Sequence, residues 1–143
     1  MINSRSTDEL SLPARKVCLA QIEGCRKSGI ELLITSTFRD AESQNALYAI
    51  GRTKDVHKKR VTDAMGGYSW HQYRCAWDVV PLVGGKCVWD DGDLWAEIVR
   101  IGKAVGAERG PAWETAHFQL RPDPSFTIAQ ALDRFKEMGT IFL

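Results

Sequence analysis

Histidine is scarce in this sequence: only His57, His71 and His117 occur among 143 residues. Chemistry that relies on imidazole must draw on these three. Cysteine offers no better ligand set. Cys18, Cys25, Cys75 and Cys87 contain no CxxC pair, which argues against a cysteine zinc cluster. Cys18 and Cys25 lie seven residues apart on one face of an expected helix, so they read as buried thiols. No apolar run is long enough to cross a bilayer. Residues 1–12 are polar and lack the apolar core of a secretory signal, so cytoplasmic synthesis without a signal peptide is expected. Charge of one sign is not in surplus either. The net charge is +1, whereas a dedicated nucleic-acid binder is usually strongly basic.

What is present is the profile of a globular protein: 44% hydrophobic and 26% charged residues. The chain is long enough to bury a core without disulfides. Neither a repeat nor a low-complexity linker interrupts it. The expectation is one domain over 1–143, with no nucleic-acid partner and no membrane insertion, and working as a monomer.

Periodicity and punctuation place the elements. A helix is expected from Thr7 to Ser28, with Thr7 as N-cap and Gly29 as stop. Pro13 splits or delays it, and Leu10, Val17, Ala20 and Ile22 form its imperfect apolar stripe. Ile30 to Thr35 reads as a buried strand. A helix follows from Asp40 to Ile50, ended by Gly51. Lys54 to Arg60 is a charge run without period, read as a solvated loop, or as a patch drawn to an anionic wall or lipid surface. His57 sits inside this run and is not counted as a ligand. Gly66-Gly67 marks a turn. Tyr73 to Leu82 reads as a strand, turned by Gly84-Gly85 into a partner over Lys86 to Trp89. Leu94, Ile98, Ile101 and Val105 mark a core-facing helix from Asp93 to Val105. Trp113 to Leu120 reads as a strand, and Thr127 to Met138 as a last helix stopped by Gly139. The pattern is α+β: a small antiparallel sheet with helices packed on it.

Two histidines remain for chemistry. Asp78 lies seven residues after His71, and Glu114 three before His117. Two imidazoles and a carboxylate are a common catalytic zinc set that leaves one position for water. Such a site acidifies water and polarises a carbonyl. A further carboxylate, with Glu114 as the candidate, could carry the proton. These spacings also occur by chance, and HExxH is absent. Each histidine could equally be an ordinary hydrogen-bonding residue.

Longer stretches narrow the choice. Ser69-Trp70-His71-Gln72-Tyr73-Arg74-Cys75-Ala76-Trp77-Asp78 resembles the SxHxxxxAxD motif of the peptidase M15 family. Trp113-Glu114-Thr115-Ala116-His117-Phe118 resembles its second motif, an acid three residues before a His that is followed by an aromatic. Leu33 to Arg39, continued by Gln44 to Tyr48 and Gly51-Arg52-Thr53, is similar to the phage endolysin branch, as is Val61 to Ala64 with Gly66, Gly67 and Ser69. The resemblance runs in order from Ala14 to Leu120.

The resemblance implies a zinc-peptidase domain of the Hedgehog/DD-peptidase type. It implies Zn2+ on His71, Asp78 and His117, and Glu114 as general base and acid. It implies that Arg39 reaches the site to stabilise an oxyanion or anchor a substrate carbonyl or carboxylate, a role suited to a permanently charged fork of donors. Ser69 and Gln44 are the substrate-binding candidates. Ser69 would steady the ligands or the substrate, and Gln44 would support Arg39. Two departures stand out. Glu114 occupies a position where the endopeptidase branch usually has Asp and the carboxypeptidase branch Glu. Arg74-Cys75 replaces a Gly-Leu-like pair.

The implied activity is hydrolysis of the L-alanyl-D-glutamate bond in the peptidoglycan stem peptide, by a phage lysis enzyme that a holin lets out to the cell wall. A D-alanyl-D-alanine carboxypeptidase is the alternative within the enzyme class. A non-catalytic zinc-containing binding module is the alternative outside it. A non-haem iron oxygenase usually carries a close His-x-Asp pair, which is not what His71 and Asp78 form.

Overall fold

Helix and strand boundaries follow local signals in the computed structural model, which describes residues 1–111 and 114–143. The first helix, α1, spans Leu12–Lys27. Pro13 delays its start, because a proline is tolerated only in the first turn of a helix. The expected start at Thr7 therefore survives only as a single 3-10 turn, Thr7–Glu9, capped by the Ser6 side chain. Gly29 ends the helix at φ 80°, a left-handed conformation that costs glycine little.

The buried face of α1 is Ala14, Cys18, Gln21 and Cys25. This corrects the expected stripe, since Val17, Ala20 and Ile22 only flank it. Both thiols are buried as expected. Burial pushes the Cys18 thiol up to about 12, and burial together with Glu97 pushes Cys25 up to about 11. Gln21 is fully buried because it is a clamp. Its Oε1 accepts from Trp77 Nε1 at 2.8 Å, and its Nε2 donates to the Ile98 carbonyl at 3.4 Å.

Strand β1 is Glu31–Ser36. Helix α2, Ala41–Ala49, is capped by Asp40, whose side chain accepts from the Ser43 amide. Strand β2, Ala76–Val83, turns at two positive-φ glycines, Gly84 and Gly85, into the two-residue β3, Lys86–Cys87. Helix α3, Gly92–Ala104, carries Asp91 as N-cap, buries Trp95, Ile98, Val99, Ile101 and Gly102, and packs on α1. Strands β4, Glu108–Arg109, and β5, His117–Gln119, follow. Helix α4, Ile128–Met138, starts with a Thr127/Gln130 capping box and stops at Gly139 with φ 70°.

The sheet is antiparallel throughout its described pairs, in the order β1-β2-β5-β4, with β3 beside the end of β2. The α+β class is as expected; several details are not. β1 is an edge strand, with Leu33 36% exposed, and not the buried strand its apolar run suggested. β2 begins at Ala76 and not at Tyr73. Residues Trp70–Tyr73 instead wind into a 3-10 turn under a capping box of Ser69 and Gln72. The partner strand expected through Trp89 stops at Cys87. The strand expected over Trp113–Leu120 shrinks to β5; Thr115 and Ala116 lie in a turn, and Trp113 lies outside the described residues. The two-residue β4 was not foreseen.

Arg74 joins the 3-10 turn to β2 with φ 57° and ψ 34°. A residue other than glycine stores strain there, which accounts for the glycine usual at this place in the resembling motif. Arg74 is held by Glu9 at 2.6 Å and by stacking 3.9 Å above the Phe38 ring.

Candidate metal centre

Three separate segments each deliver one candidate ligand. His71 comes from the 3-10 turn, where the Ser69 hydroxyl accepts its backbone amide at 3.3 Å. Asp78 is the third residue of β2, beside an irregularity in the register between Ile34 and Ser36 of β1. His117 opens β5 and is the registered partner of Asp78. The Asp78 Oδ1 atom lies 3.3 Å from His71 Nε2 and 3.3 Å from His117 Nδ1. Ligand atoms of all three lie within 4.8 Å of one another, the one such cluster among the described residues. His57 lies in an exposed segment outside it.

Hydrogen bonds fix what these atoms can do. His71 Nδ1 is 2.7 Å from the Thr37 carbonyl, which can only accept. Nδ1 therefore carries a proton, and Nε2 is the nitrogen turned toward Asp78. His117 Nε2 pairs with Gln119 Oε1 at 2.8 Å, which leaves Nδ1 turned toward Asp78. Two imidazole nitrogens and one carboxylate oxygen thus converge on one place, an arrangement that suits a cation. The spacing suits one too: donors held by a tetrahedral zinc ion at about 2.0–2.1 Å are roughly 3.3 Å apart.

Burial works to raise the Asp78 carboxyl, but the imidazoles of His71 and His117 outweigh it and hold it well below the ordinary carboxylate range. Burial pulls His117 down, yet Asp78, Gln119 and Glu114 more than restore it, and the net direction is upward.

Arg39 borders the cluster. Its Nη2 lies 3.9 Å from Asp78 Oδ2 and donates to the Ser36 hydroxyl at 3.0 Å. Burial lowers its pKa against the pull of Asp78 and Glu114, and an arginine in that state remains a cation. Its Nη1 donates to Gln44 Oε1 at 2.8 Å, while Gln44 Nε2 donates to the Ala64 carbonyl at 2.7 Å. Gln44 is 1% exposed with its amide committed to Arg39 and Ala64, so it braces Arg39 and is not among the residues that line the cleft. Ser69 lines the cleft and also caps the turn that carries His71.

A cleft of about 650 Å3 opens over the cluster, with Arg39, Tyr68, Ser69, Arg109 and Glu114 along its walls. Glu114 is exposed, and its carbonyl accepts the His117 amide at 3.1 Å, so one turn joins the candidate base to a candidate ligand.

Three contributors escaped the sequence reading. Thr37 acts through its backbone carbonyl, and Gln119 through its contact with His117. Gly110 acts by being small: a Cβ there would lie 2.9 Å from His117 Cδ2 and 3.0 Å from its Cβ. Only Gln119 had a visible signal, as a polar residue two places after His117.

Comparison with known proteins now bears on this geometry. Residues 9–90 match the family described as VanY: D-alanyl-D-alanine carboxypeptidase. The chain is 39% identical over 108 residues to the peptidoglycan L-alanyl-D-glutamate endopeptidase CwlK of Bacillus subtilis (strain 168), covering 66% of this chain. It spans 64% of that relative's length. Among solved structures it is similar to the L-Ala D-Glu endopeptidase ChiX of Serratia marcescens, with TM-score 0.57, 19% identity, and coverage of 85% of this chain and 90% of that one. It is also similar to a variant of the D,D-pentapeptidase VanY from a VanB-type vancomycin resistance cassette, in complex with Zn(II). There the TM-score is 0.64 and the identity 14%, over 98% of this chain and 86% of that one.

Proposed function

The chain belongs to the VanY D-alanyl-D-alanine carboxypeptidase family, and from that footing we propose that it is a zinc-dependent peptidase cutting the L-alanyl-D-glutamate bond of the peptidoglycan stem peptide. The observation that carries the reading is the convergence of two imidazole nitrogens and the Asp78 carboxylate on one place. The relative named for that bond, alike over two thirds of this chain, supports the choice of substrate.

In this reading His71, Asp78 and His117 hold the ion. A bound Zn2+ supplies Lewis acidity and lowers the pKa of water toward neutrality. Glu114 accepts the proton of the attacking water at its carboxylate and returns it to the departing amine nitrogen. Arg39 donates from its guanidinium to the oxygen on which negative charge develops. Gln44 and Ser36 fix the guanidinium plane, and Thr37 and Gln119 fix the imidazole tautomers. Release to the wall by a holin, as for a phage endolysin, belongs to the same proposal.

Metal analysis and mass spectrometry of products from defined muropeptides, with and without a chelator, test it. Fragments ending in L-alanine, lost on chelation and restored by zinc, are expected. Release of terminal D-alanine alone would establish the second reading, a D-alanyl-D-alanine carboxypeptidase. That reading is favoured by Glu114, the acid usual in that branch, and by the family's description. Equal cleavage with and without chelator would sink the zinc proposal.

A further inference from the structure

The metal cleft does not end at Arg109. A second trough, of about 510 Å3, continues from it, and Trp89, Arg109 and Thr115 line both. Trp95 and Val99 of α3 are further walls, and Asp90 stands at its rim. Trp89 is 57% exposed, unusual for so large an apolar side chain. Its backbone is pinned, because Trp95 Nε1 donates to the Trp89 carbonyl at 2.9 Å. The rings of Trp89 and Trp95 lie 6.4 Å apart at 30°. The exposed indole is thus presented on a fixed support, with Asp90, Arg109 and Thr115 as polar neighbours.

That chemistry fits a pyranose. A sugar ring has an apolar C–H face that lies against an indole and an equatorial rim of hydroxyls that needs donors and acceptors. Asp90 and Arg109 give the lining one charge of each sign, so it offers hydroxyls both an acceptor and a donor and is not a dedicated carboxylate site. The trough adjoins the cleft, so its occupant must lie a short reach from the scissile bond. The muramic acid ring is joined through its lactyl group to L-alanine, so it lies two residue-lengths from the L-alanyl carbonyl, roughly 7 Å at about 3.5 Å each. From a D-alanyl-D-alanine bond it would be five lengths away, roughly 17 Å.

We propose that the Trp89–Trp95 trough is a glycan subsite that takes the N-acetylmuramic acid ring, so that the enzyme selects stem peptides still attached to the glycan strand. The inference rests on the endopeptidase reading. It makes Trp89 a specificity residue and sets the register of the substrate in the cleft.

The test compares kcat/KM on a GlcNAc–MurNAc disaccharide bearing the stem peptide with that on the free stem peptide, for the parent, Trp89→Ala and Trp89→Tyr. The parent should prefer the disaccharide substrate by tenfold or more. Trp89→Ala should bring that ratio close to one, and Trp89→Tyr should restore most of it. A parent ratio near one, or a ratio unmoved in Trp89→Ala, overturns the inference. If the parent cleaves neither substrate, the functional reading fails by itself. A separate arm then decides: titration of the peptide-free disaccharide into the protein, followed by tryptophan indole N–H resonances. A saturable shift in the parent that is lost in Trp89→Ala supports the glycan subsite, and no shift in the parent overturns it.

Discussion

Asp78 and His117 are registered partners on adjacent antiparallel strands, and this pairing sets Oδ1 of the first 3.3 Å from Nδ1 of the second. The pair is 39 residues apart in sequence. Strand register, not local sequence, therefore brings them together, and whatever displaces β5 or the His117 ring should separate them.

Gly110 is one point at which such a displacement can be forced. Alanine there places a methyl 2.9 Å from His117 Cδ2, so the ring must move. Disturbing a group that orients a metal ligand typically costs about 10–100-fold in affinity. Competition with a chromophoric chelator should find Gly110→Ala weaker for zinc by at least tenfold, with its circular dichroism unchanged. Parental affinity would show that the ring has room to give.

Glu114→Ala should separate binding from turnover. The side chain is not one of the three convergent donors, so zinc content should stay at the parental value. Proton transfer by a positioned group is worth about 10²–10⁴ in rate, and kcat should fall by that order. A variant as fast as the parent would remove Glu114 from the mechanism.

Zinc affinity should rise with pH. In the metal-free protein His117 is held above its ordinary value of 6.5, against burial, chiefly by Asp78. A group with a raised folded pKa adds stability below the unfolded value and loses it as pH climbs through the folded one. The proton on Nδ1 occupies the metal's position, so affinity should gain about tenfold per pH unit until His117 has deprotonated, then level. Asp78, held low, stays ionised throughout and adds no step. Affinity that is flat across about pH 6 to 8 would contradict a one-proton competition.

Gln21→Leu probes the support beneath the sheet. Leucine fills similar space but orphans the indole N–H of fully buried Trp77. An unsatisfied buried donor costs about 1–3 kcal/mol, and urea unfolding should show a loss of that size. A change below about 0.5 kcal/mol, typical of surface positions, would mean the clamp is dispensable.

The legible parts of the fold were those with local signatures. Gly29, Gly139 and the Thr127/Gln130 box delimit helices through capping chemistry that sequence displays directly. The Ser69/Gln72 box was equally visible, yet the residues after it read as strand because Tyr73 to Leu82 is rich in β-formers. Leu32, Leu33 and Ile34 suggested burial because composition cannot tell an edge strand from a central one. At the site, residue type and spacing left each histidine open, and the resemblance of Ser69 to Asp78 and of Trp113 to Phe118 to family motifs singled out His71, Asp78, His117 and Glu114. The Thr37 carbonyl and the bare Cα of Gly110 left no trace, since every residue has a carbonyl and a glycine's need for space appears only once its neighbour is placed.

Three of the four thiols are sealed in the interior, and burial drives the Cys75 thiol upward as it does Cys18 and Cys25. Thiolate, the reactive form, is thereby suppressed at all three. Cys87 is exposed, at the end of a hairpin and two residues from Trp89. A maleimide dye added to the unmodified chain should consequently attach at one address, making a reporter beside the trough without any cysteine having to be engineered.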